Sequence, residues 1–316
     1  MTAGQRELFR RHPGNPILTA ADWPKPVNTV FNPAAAIVGG ETVLLARVET
    51  LTGISQLTVA RSANGTDGWR VEREALLTPS GGVESEQWGF EDARAVWVSE
   101  LDRFAITCTA YGPAGPAVYL ATTKDFVSVE RHGIVMGPAD KNAALLPERV
   151  AGKWILFHRP TTSFGVTHGA IAISRSDDFS SWNPPEEVLQ PREGAWWDSL
   201  RIGIGPPPLK TEHGWLLIYH GVKEMVSGDI YRVGLALLDL EEPTRVLRRA
   251  SDWIFAPLKS YERQGDVANV IFPCGLIHDP LSGELRLYYG AADTSICLAT
   301  AQLEDLMAAV MAAPGI

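Results

Sequence analysis

The residues Gly89-Phe-Glu-Asp-Ala-Arg94 place two carboxylates and a guanidinium within four positions of the chain. They follow an aromatic residue, Trp88, and lead into an apolar run that predicts a strand. Successive side chains of a strand point to opposite faces, so Glu91 is expected on one face and Asp92, with Arg94, on the other. An acid beside a fixed cation at a strand entrance suits a catalytic carboxylate, but a structural ion pair is the simpler explanation of one such motif taken alone.

The rest of the chain repeats the layout around this motif. Each of five repeats holds one segment followed by two strand-like pieces that form a hairpin pattern. The leading segments are residues 32–38, 91–96, 142–148, 205–209 and 272–277, the first hairpin strands are residues 42–47, 103–111, 153–159, 214–220 and 284–289, and the second hairpin strands are residues 56–61, 117–122, 169–174, 232–237 and 295–300.

Three short strands per repeat, separated by Gly, Pro and Asp turns, predict an all-β fold and specifically a five-bladed β-propeller. A two-sheet sandwich would explain the strands but not their five-fold order. We expect residues 1–316 to form a single domain. Residues 15–18 are predicted to complete the last blade, and residues 303–313 to form a short helix outside the propeller.

Composition narrows the class of protein. A chain of 316 residues with 45% hydrophobic content can bury a large core. Its net charge of −9 argues against nucleic acid as a partner, and no apolar run is long enough to predict a membrane helix. Cys108, Cys274 and Cys297 lie in apolar runs without metal-ligand spacing, so we expect reduced core thiols, no metal site and a cytoplasmic protein.

In a propeller, polar residues that are far apart in sequence meet at the central channel. Each is individually an ordinary surface or capping residue, but several cations at equivalent places indicate an anion pocket, since Arg and Lys bind phosphate through charge-assisted hydrogen bonds. These residues are Asn32, Arg47, Asp92, Arg94, Lys141, Asn142, His158, Arg159, Tyr219, His220 and Asp266.

Nine ordered motifs resemble glycoside hydrolase family 130, the β-mannoside phosphorylases and related mannosidases, which are five-bladed propellers. The resemblance covers about residues 13 to 306. The chain has Ala93 where the family usually has Pro, and Arg201 where many members have Lys. The motifs are Gly89–Arg94, Lys141–Glu148, Phe157–Pro160, Trp197–Gly203, Gly205–Pro208, Tyr219–Gly221, Gly265–Asn269, Phe272–Gly275 and Tyr288–Asp293.

The resemblance implies an activity and a role for each matching residue. The activity is inverting phosphorolysis of a β-mannoside, β-1,4- or β-1,2-linked, to α-mannose 1-phosphate and a shortened sugar, with inorganic phosphate as co-substrate and no cofactor. Asp92 would be the general acid, relaying its proton through a hydroxyl of the bound mannose. The implied phosphate ligands are Lys141, Asn142, Arg159, Arg201, His220 and Tyr231, and the implied sugar ligands are Asn32, Arg47, Glu91, Arg94, Asp198 and Asp266.

Other functions stay open at this point. A β-mannosidase of the same family would use water and need a carboxylate base, and a non-catalytic sugar-binding propeller would not need Asp92. An arabinan-type glycosidase would need three acidic residues around the channel, which the nine motifs do not match. Trp88 and Tyr111 are candidates for stacking on sugar faces, or else core residues. Residues 160–168, 190–198 and 221–230 are predicted loops around the channel mouth, and a homo-oligomer is an open expectation.

Overall fold

The computed structural model describes residues 7–161 and 168–315, and strands make up almost all of its regular structure, which confirms the all-β prediction. The strands are β1 (Arg10–Arg11), β2 (Thr29–Val38), β3 (Glu41–Glu49), β4 (Ser55–Ser62), β5 (Arg70–Val71), β6 (Gly89–Val98), β7 (Arg103–Gly112), β8 (Gly115–Thr123), β9 (Glu130–Met136), β10 (Asp140–Leu145), β11 (Trp154–Pro160), β12 (Ile171–Ser176), β13 (Glu186–Leu189), β14 (Arg201–Ile204), β15 (Leu209–Thr211), β16 (Gly214–Met225), β17 (Gly228–Leu238), β18 (Val246–Arg249), β19 (Ile271–His278), β20 (Glu284–Ala291) and β21 (Ser295–Gln302).

Helices are few and short. The predicted C-terminal helix is confirmed, and its buried residues Leu306 and Val310 pack on the apolar core. Among the described residues, none of the helices has the length and hydropathy needed to cross a membrane. The α-helices are α1 (Ser260–Arg263) and α2 (Leu303–Met311), and 3-10 turns occupy Ala20–Asp22, Glu84–Glu86 and Ser99–Leu101.

The described strands form five antiparallel units in chain order. Units one and two share one eight-stranded sheet, but a single parallel pairing, Ser55 with Gly89, is all that joins them. The prediction that residues 205–209 form the leading strand of the fourth unit is wrong. That strand lies earlier, at β14, because the three prolines at 206–208 cannot donate hydrogen bonds to a neighbouring strand. The units are β2–β5, β6–β9, β10–β13, β14–β18 and β19–β21 with β1.

The apolar core lies between the units rather than inside any one of them. Each large cluster of buried side chains draws on two units that follow each other in the chain, and one cluster joins the last unit to the first through residues such as Leu298 and Leu44. Neighbouring units are therefore held by face-to-face packing of their sheets, and this contact runs through all five in cyclic order.

The N-terminal segment belongs to the fifth unit. Arg10 and Arg11 pair with Thr300 and Ala299, and Leu18 forms a bridge with Ile296. The Asn15 side chain donates to the carbonyl oxygen of Leu298 at 2.8 Å and accepts from its amide at 2.8 Å. The prediction that residues 15–18 lie beside Leu298 is confirmed, although the strand itself begins earlier, at Arg10.

All three cysteines are buried and unpaired, as predicted for core thiols. Burial raises the pKa of Cys274 and Cys297 to about 12, so neither is a reactive thiolate near neutral pH.

Substitution of Leu18 tests whether the N-terminal segment stabilises the whole fold. Leu18 is only 2% exposed and packs against the first and fifth units. We expect Leu18→Ala to lower the free energy of unfolding by about 2–5 kcal/mol, because it removes buried methyl groups and leaves a cavity. The measurement is urea denaturation followed by far-UV and near-UV circular dichroism.

Leu281→Ala is the matched control, because Leu281 is 97% exposed and its loss should change stability by less than about 0.5 kcal/mol. Equal effects of the two substitutions would show that the N-terminal segment does not support the core.

Candidate active site

A cavity of about 150 Å³ draws its lining from all five units. It brings together nine of the residues that the sequence predicts for the site. The lining residues are Asn32, Arg47, Glu91, Asp92, Lys141, Asn142, Arg159, His220, Tyr231, Val267, Val270, Phe272 and Asp293.

A larger cleft of about 890 Å³ runs beside β1 and β21. At its wall Arg11 pairs with Glu262 at 2.6 Å, and this buried carboxylate also accepts hydrogen bonds from Tyr289 and two backbone amides. These contacts tie the N-terminal segment to the fifth unit. The smaller cavity is the candidate site, because it gathers nine of the predicted residues.

One irregularity, repeated in three units, directs polar side chains into this cavity. The leading strands β2, β6 and β10 each contain a β-bulge, in which two residues oppose one on the next strand. The first bulge residue has a left-handed φ in each case: 45° at Asn32, 51° at Asp92 and 55° at Asn142. Asn and Asp tolerate this conformation better than other non-glycine residues. The residue types at these positions are thus those that the bent backbone allows.

The bulge corrects the predicted facing of the Glu-Asp motif. Regular alternation would separate Glu91 from Asp92, but the register shifts between Glu91 and Arg94, and both carboxylates line the cavity. Arg94 is instead buried, where its guanidinium donates to the backbone carbonyls of Asp92, Ile204 and Gly205.

Arg47 is shared by the two carboxylates. Its Nη1 lies 3.2 Å from Asp92 Oδ1 and its Nη2 lies 3.0 Å from Glu91 Oε1. Asn32 Nδ2 donates to the same Asp92 oxygen at 2.8 Å, and Arg47 Nε donates to the hydroxyl of Ser55 at 3.1 Å. One guanidinium therefore fixes the position of both acids.

The three carboxyl groups of the cavity differ in their pKa values. Burial opposes the ionisation of Asp92, but Arg47, Arg94 and the hydrogen bond from Asn32 outweigh it and hold the pKa of Asp92 below its ordinary value. Burial raises the pKa of Glu91, against the attraction of Arg47. Burial and the negative charge of Asp92 raise the pKa of Asp293 to about 7. The site therefore holds one carboxyl group with a lowered pKa and two with raised pKa values.

The opposite half of the cavity is cationic. Across residues 7–161 and 168–315, neither Lys141 nor Arg159 has a carboxylate oxygen within ion-pair distance of its side-chain nitrogens. Burial and the neighbouring charge of Arg201 lower the pKa of Arg159 to about 10, against the weaker attraction of Asp140. Unpaired buried cations favour binding of an anionic ligand.

His220 adds a neutral group to the cationic half. Burial and the charges of Arg159 and Arg94 lower the pKa of His220 well below its ordinary value, so the ring is uncharged at neutral pH. It packs against Phe272 with 4.6 Å between ring centroids. Its Nδ1 is buried and has no hydrogen-bond partner in the described part of the chain, as is expected where a ligand supplies one.

Three other predicted residues lie outside the cavity lining. Arg201 is at its edge, where Nη2 donates to the Tyr231 hydroxyl at 2.6 Å and pairs with Asp229 at 2.7 Å. Asp198 is fully buried among Tyr219, Arg249 and Arg192. Asp266 is exposed and accepts a hydrogen bond from Asn28. The structure therefore brings neither Arg94, Asp198 nor Asp266 to the cavity.

Sequence reasoning missed part of the lining, above all Asp293. It lies in the motif that ends at this residue, two positions after β20, and has a left-handed φ of 51°. Its position in the sequence could have indicated the site. Asp293 follows the first hairpin strand of its unit, and Arg159 and His220 lie near the ends of the equivalent strands in theirs. Val267, Val270 and Phe272 supply apolar surface; Val267 and Phe272 lie in quoted motifs but were assigned no role, because an apolar side chain does not by itself indicate a site.

The predicted mouth loops are correct in part. Residues 190–198 are irregular, but residues 221–230 are not a loop, because β16 continues to Met225 and β17 begins at Gly228. Most of the predicted loop at residues 160–168 lies outside the described residues. No cluster of three or more potential metal ligands occurs in the described ranges.

Comparison with known proteins establishes the family. The profile of glycoside hydrolase family 130, described as β-1,4-mannooligosaccharide phosphorylase, matches residues 10–312. The chain belongs to this family, and the resemblance found in its motifs is confirmed.

Individual relatives agree with this assignment. A β-1,4-mannooligosaccharide phosphorylase from Ruminococcus albus is 32% identical over 310 residues, covering 96% of this chain and 90% of the relative. A β-1,2-mannobiose phosphorylase from Listeria innocua is 35% identical over 257 residues, covering 81% and 69%. A structure of β-1,2-mannobiose phosphorylase from Listeria innocua, in complex with β-1,2-mannobiose, superposes with a TM-score of 0.87 at 29% identity, covering 96% of this chain and 99% of that one.

The high pKa of Asp293 predicts a pH-dependent effect of its replacement. The carboxyl titrates at about 7 in the folded chain but near its ordinary value of 3.8 when unfolded. The folded state therefore holds more protons between these values, and this group reduces stability as pH rises from 3.8 to about 7. Asp293→Asn removes the charge, so it should raise the free energy of unfolding more at pH 8 than at pH 5, by at least about 1 kcal/mol.

Urea denaturation at both pH values checks this result. Asp102→Asn, at an exposed aspartate, is the control and should show no such difference between the two pH values. An equal effect of Asp293→Asn at pH 5 and pH 8 would contradict the assigned pKa.

Proposed function

We propose that the protein catalyses inverting phosphorolysis of a β-linked manno-oligosaccharide to α-mannose 1-phosphate and a shortened sugar. The observation that carries this proposal is the division of one cavity into a carboxylate half held by Arg47 and a cationic half without paired anions. Relatives named for β-1,4 and β-1,2 phosphorolysis support the same substrate class.

The carboxylate half suits protonation of the leaving sugar. Asp92 is the proposed general acid, acting through a hydroxyl of the bound mannose. Its low pKa in the protein alone is compatible with this role, because phosphate brings negative charge into the cavity and thereby raises the pKa of a nearby carboxyl. Asn32, Arg47 and Glu91 are proposed to hold the mannosyl ring, together with Asp293.

The cationic half suits phosphate. Lys141 and Arg159 are proposed to neutralise its charge, while Asn142, Tyr231 and neutral His220 supply directed hydrogen bonds. Arg201 is proposed to join them from the edge of the cavity, on the side of Tyr231. Phosphate would then contact Lys141 and Arg159, neither of which has, among the described residues, an ion-pair partner that phosphate must displace.

The reaction balances without a further reactant. An oxygen of hydrogen phosphate forms the new bond to the anomeric carbon while the glycosidic bond breaks on the opposite face of the ring. The leaving oxygen takes a proton from the acid, and the proton lost by phosphate restores it. Because phosphate is already an anionic nucleophile, the site needs one carboxylic acid and no general base.

Hydrolysis is the second candidate, and the distribution of charge disfavours it. An inverting glycosidase needs a carboxylate base on the side from which water attacks. The carboxylates of the cavity lining, Glu91, Asp92 and Asp293, are coupled to Arg47 and to one another. Asp229, at the edge of the cationic half, is paired with Arg201.

A non-catalytic sugar-binding role is the third candidate. It would not explain why Lys141 and Arg159 are held in the cavity without paired anions in the part of the chain that the structure describes.

We also propose that the five antiparallel units are the blades of one five-bladed β-propeller formed by residues 1–316. Support comes from the cyclic order of the apolar clusters, in which the last unit packs on the first, and from the cavity lining, to which every unit contributes. β1 would close the ring by hydrogen bonding to β21.

The unpaired cysteines support a cytoplasmic location, where thiols stay reduced.

Asp92→Asn should reduce turnover by about 100- to 10,000-fold with the fold retained, because it removes the proposed acid. The measurement is the release of mannose 1-phosphate, with circular dichroism to check folding. Asn tolerates the left-handed φ of Asp92, so the substitution adds no backbone strain.

Asp102→Asn is the matched control, since Asp102 has the same φ of 51° but is exposed at the far end of β6. Near-normal turnover by the folded Asp92→Asn variant would show that Asp92 is not the acid.

Arg159→Ala should raise the apparent KM for phosphate by about 10- to 150-fold while changing the KM for sugar much less. Its loss removes a charge-assisted contact of about 1.5–3 kcal/mol. Wild-type turnover should require inorganic phosphate and yield mannose 1-phosphate rather than mannose, as measured by chromatography of the products.

Arg103→Ala, at a partly exposed arginine paired with Glu130, is the control and should leave both KM values unchanged. Equal yield in phosphate-free buffer, with free mannose as product, would overturn phosphorolysis and favour the mannosidase.

A further inference from the structure

We propose that Trp88 and Tyr111 form a binding platform for a distal sugar of the substrate, so that the enzyme prefers oligosaccharides longer than a disaccharide. This inference rests on the proposed function and names the length of substrate that the site accepts. The two rings lie 5.6 Å apart between centroids, at an interplanar angle of 35°. Trp88 is 42% exposed, although it is a large apolar residue in a chain that buries most of them.

The pair lies at the start of β6 and near the end of β7, the part of these strands that carries the cavity residues Glu91 and Asp92. Trp88 directly precedes β6, and its amide donates to the carbonyl oxygen of Tyr111 at 2.8 Å. Its own carbonyl accepts from the amide of Ser55, whose hydroxyl accepts from Arg47. A line of hydrogen bonds therefore runs from the guanidinium in the cavity, through Ser55, to the backbone of Trp88.

The distance between Trp88 and the cavity suits a sugar ring beyond the one that is directly bonded to the reacting mannose. Trp88 is three residues from Glu91, and strands rise about 3.3 Å per residue, so the two lie about 10 Å apart along β6. The cavity itself, about 150 Å³, is smaller than the roughly 300–1,000 Å³ of sites that enclose drug-sized ligands. It is too small to enclose an oligosaccharide, so the rings beyond the reacting sugar must lie outside it.

The platform is also rigid. A Cβ added at Gly89, next to Trp88, would lie 1.8 Å from the carbonyl oxygen of Ser55, and one at Gly112, next to Tyr111, would lie 2.2 Å from the carbonyl oxygen of Glu84. Both aromatic residues are thus anchored by close backbone contacts that only glycine permits. A preorganised aromatic surface binds the apolar face of a sugar with little loss of side-chain freedom.

The test compares kcat/KM for mannotetraose with that for mannobiose, each in β-1,4- and β-1,2-linked form, in the presence of phosphate. Trp88→Ala should lower the tetraose-to-biose ratio by about three- to tenfold, as expected for loss of one stacking contact. Trp88→Phe should restore much of the ratio. An unchanged ratio, or an equal fall with both substrates, would overturn the platform.

Trp97→Ala is the matched control. Trp97 is on the same strand, is 41% exposed and packs on Phe104 at 4.9 Å, but it lies at the end of β6 away from the cavity. Its replacement should leave the ratio unchanged.

A binding measurement separates this proposal from the activity itself. If wild-type protein releases no mannose 1-phosphate from any of the substrates, the proposed function fails, and calorimetric titration with mannotetraose then decides the platform alone. Weaker tetraose binding by Trp88→Ala than by Trp97→Ala would support the platform, and equal binding would overturn it.

Discussion

The contact of Arg47 with Glu91 and Asp92 is the interaction on which the site depends. Three carboxyl groups line a small cavity, and only this guanidinium contacts two of them directly among the described residues. Burial raises the pKa of each of these groups, and the charge of Arg47 opposes that rise in all three. Arg47 lowers the pKa of all three acids, but Asn32 and Arg94 act on Asp92 as well, and the pKa of Asp92 falls below its ordinary value. The site thereby obtains carboxyl groups of different strength from residues that are chemically alike.

The left-handed bulges explain how a regular sheet can present this arrangement. In a strand without a bulge, every second side chain would point into the apolar core between units, where Ala93 and Phe90 lie. The extra residue in β6 lets two consecutive carboxylates line one cavity while the apolar pattern continues on both sides. The same device recurs at Asn32 and Asn142, so one local geometry, repeated, supplies polar groups from three units.

Much of this architecture could be predicted from the sequence, for identifiable reasons. The hairpin strands follow from apolar patterning, and their ends bring Arg47, Arg159 and His220 to the cavity because repeated units place equivalent residues together. Arg94 and Asp198 could not be assigned in this way. A buried arginine that binds backbone carbonyls has the same sequence appearance as one that binds a ligand, and only the register shift after Glu91 separates the two. Asp293 was missed because it follows its strand at a left-handed turn, where strand periodicity no longer applies.

The pairing of β1 with β21 has a consequence for synthesis of the protein. Arg10 and Arg11 emerge from the ribosome long before their partners Thr300 and Ala299. Phe9 and Leu18, both buried in the finished fold, lack their packing partners in the fifth unit until then. The first unit likewise keeps one apolar face uncovered while the chain is being made, because the fifth unit covers it. The nascent chain therefore carries exposed apolar surface until the fifth unit has been made, and such surface promotes aggregation of incompletely folded chains.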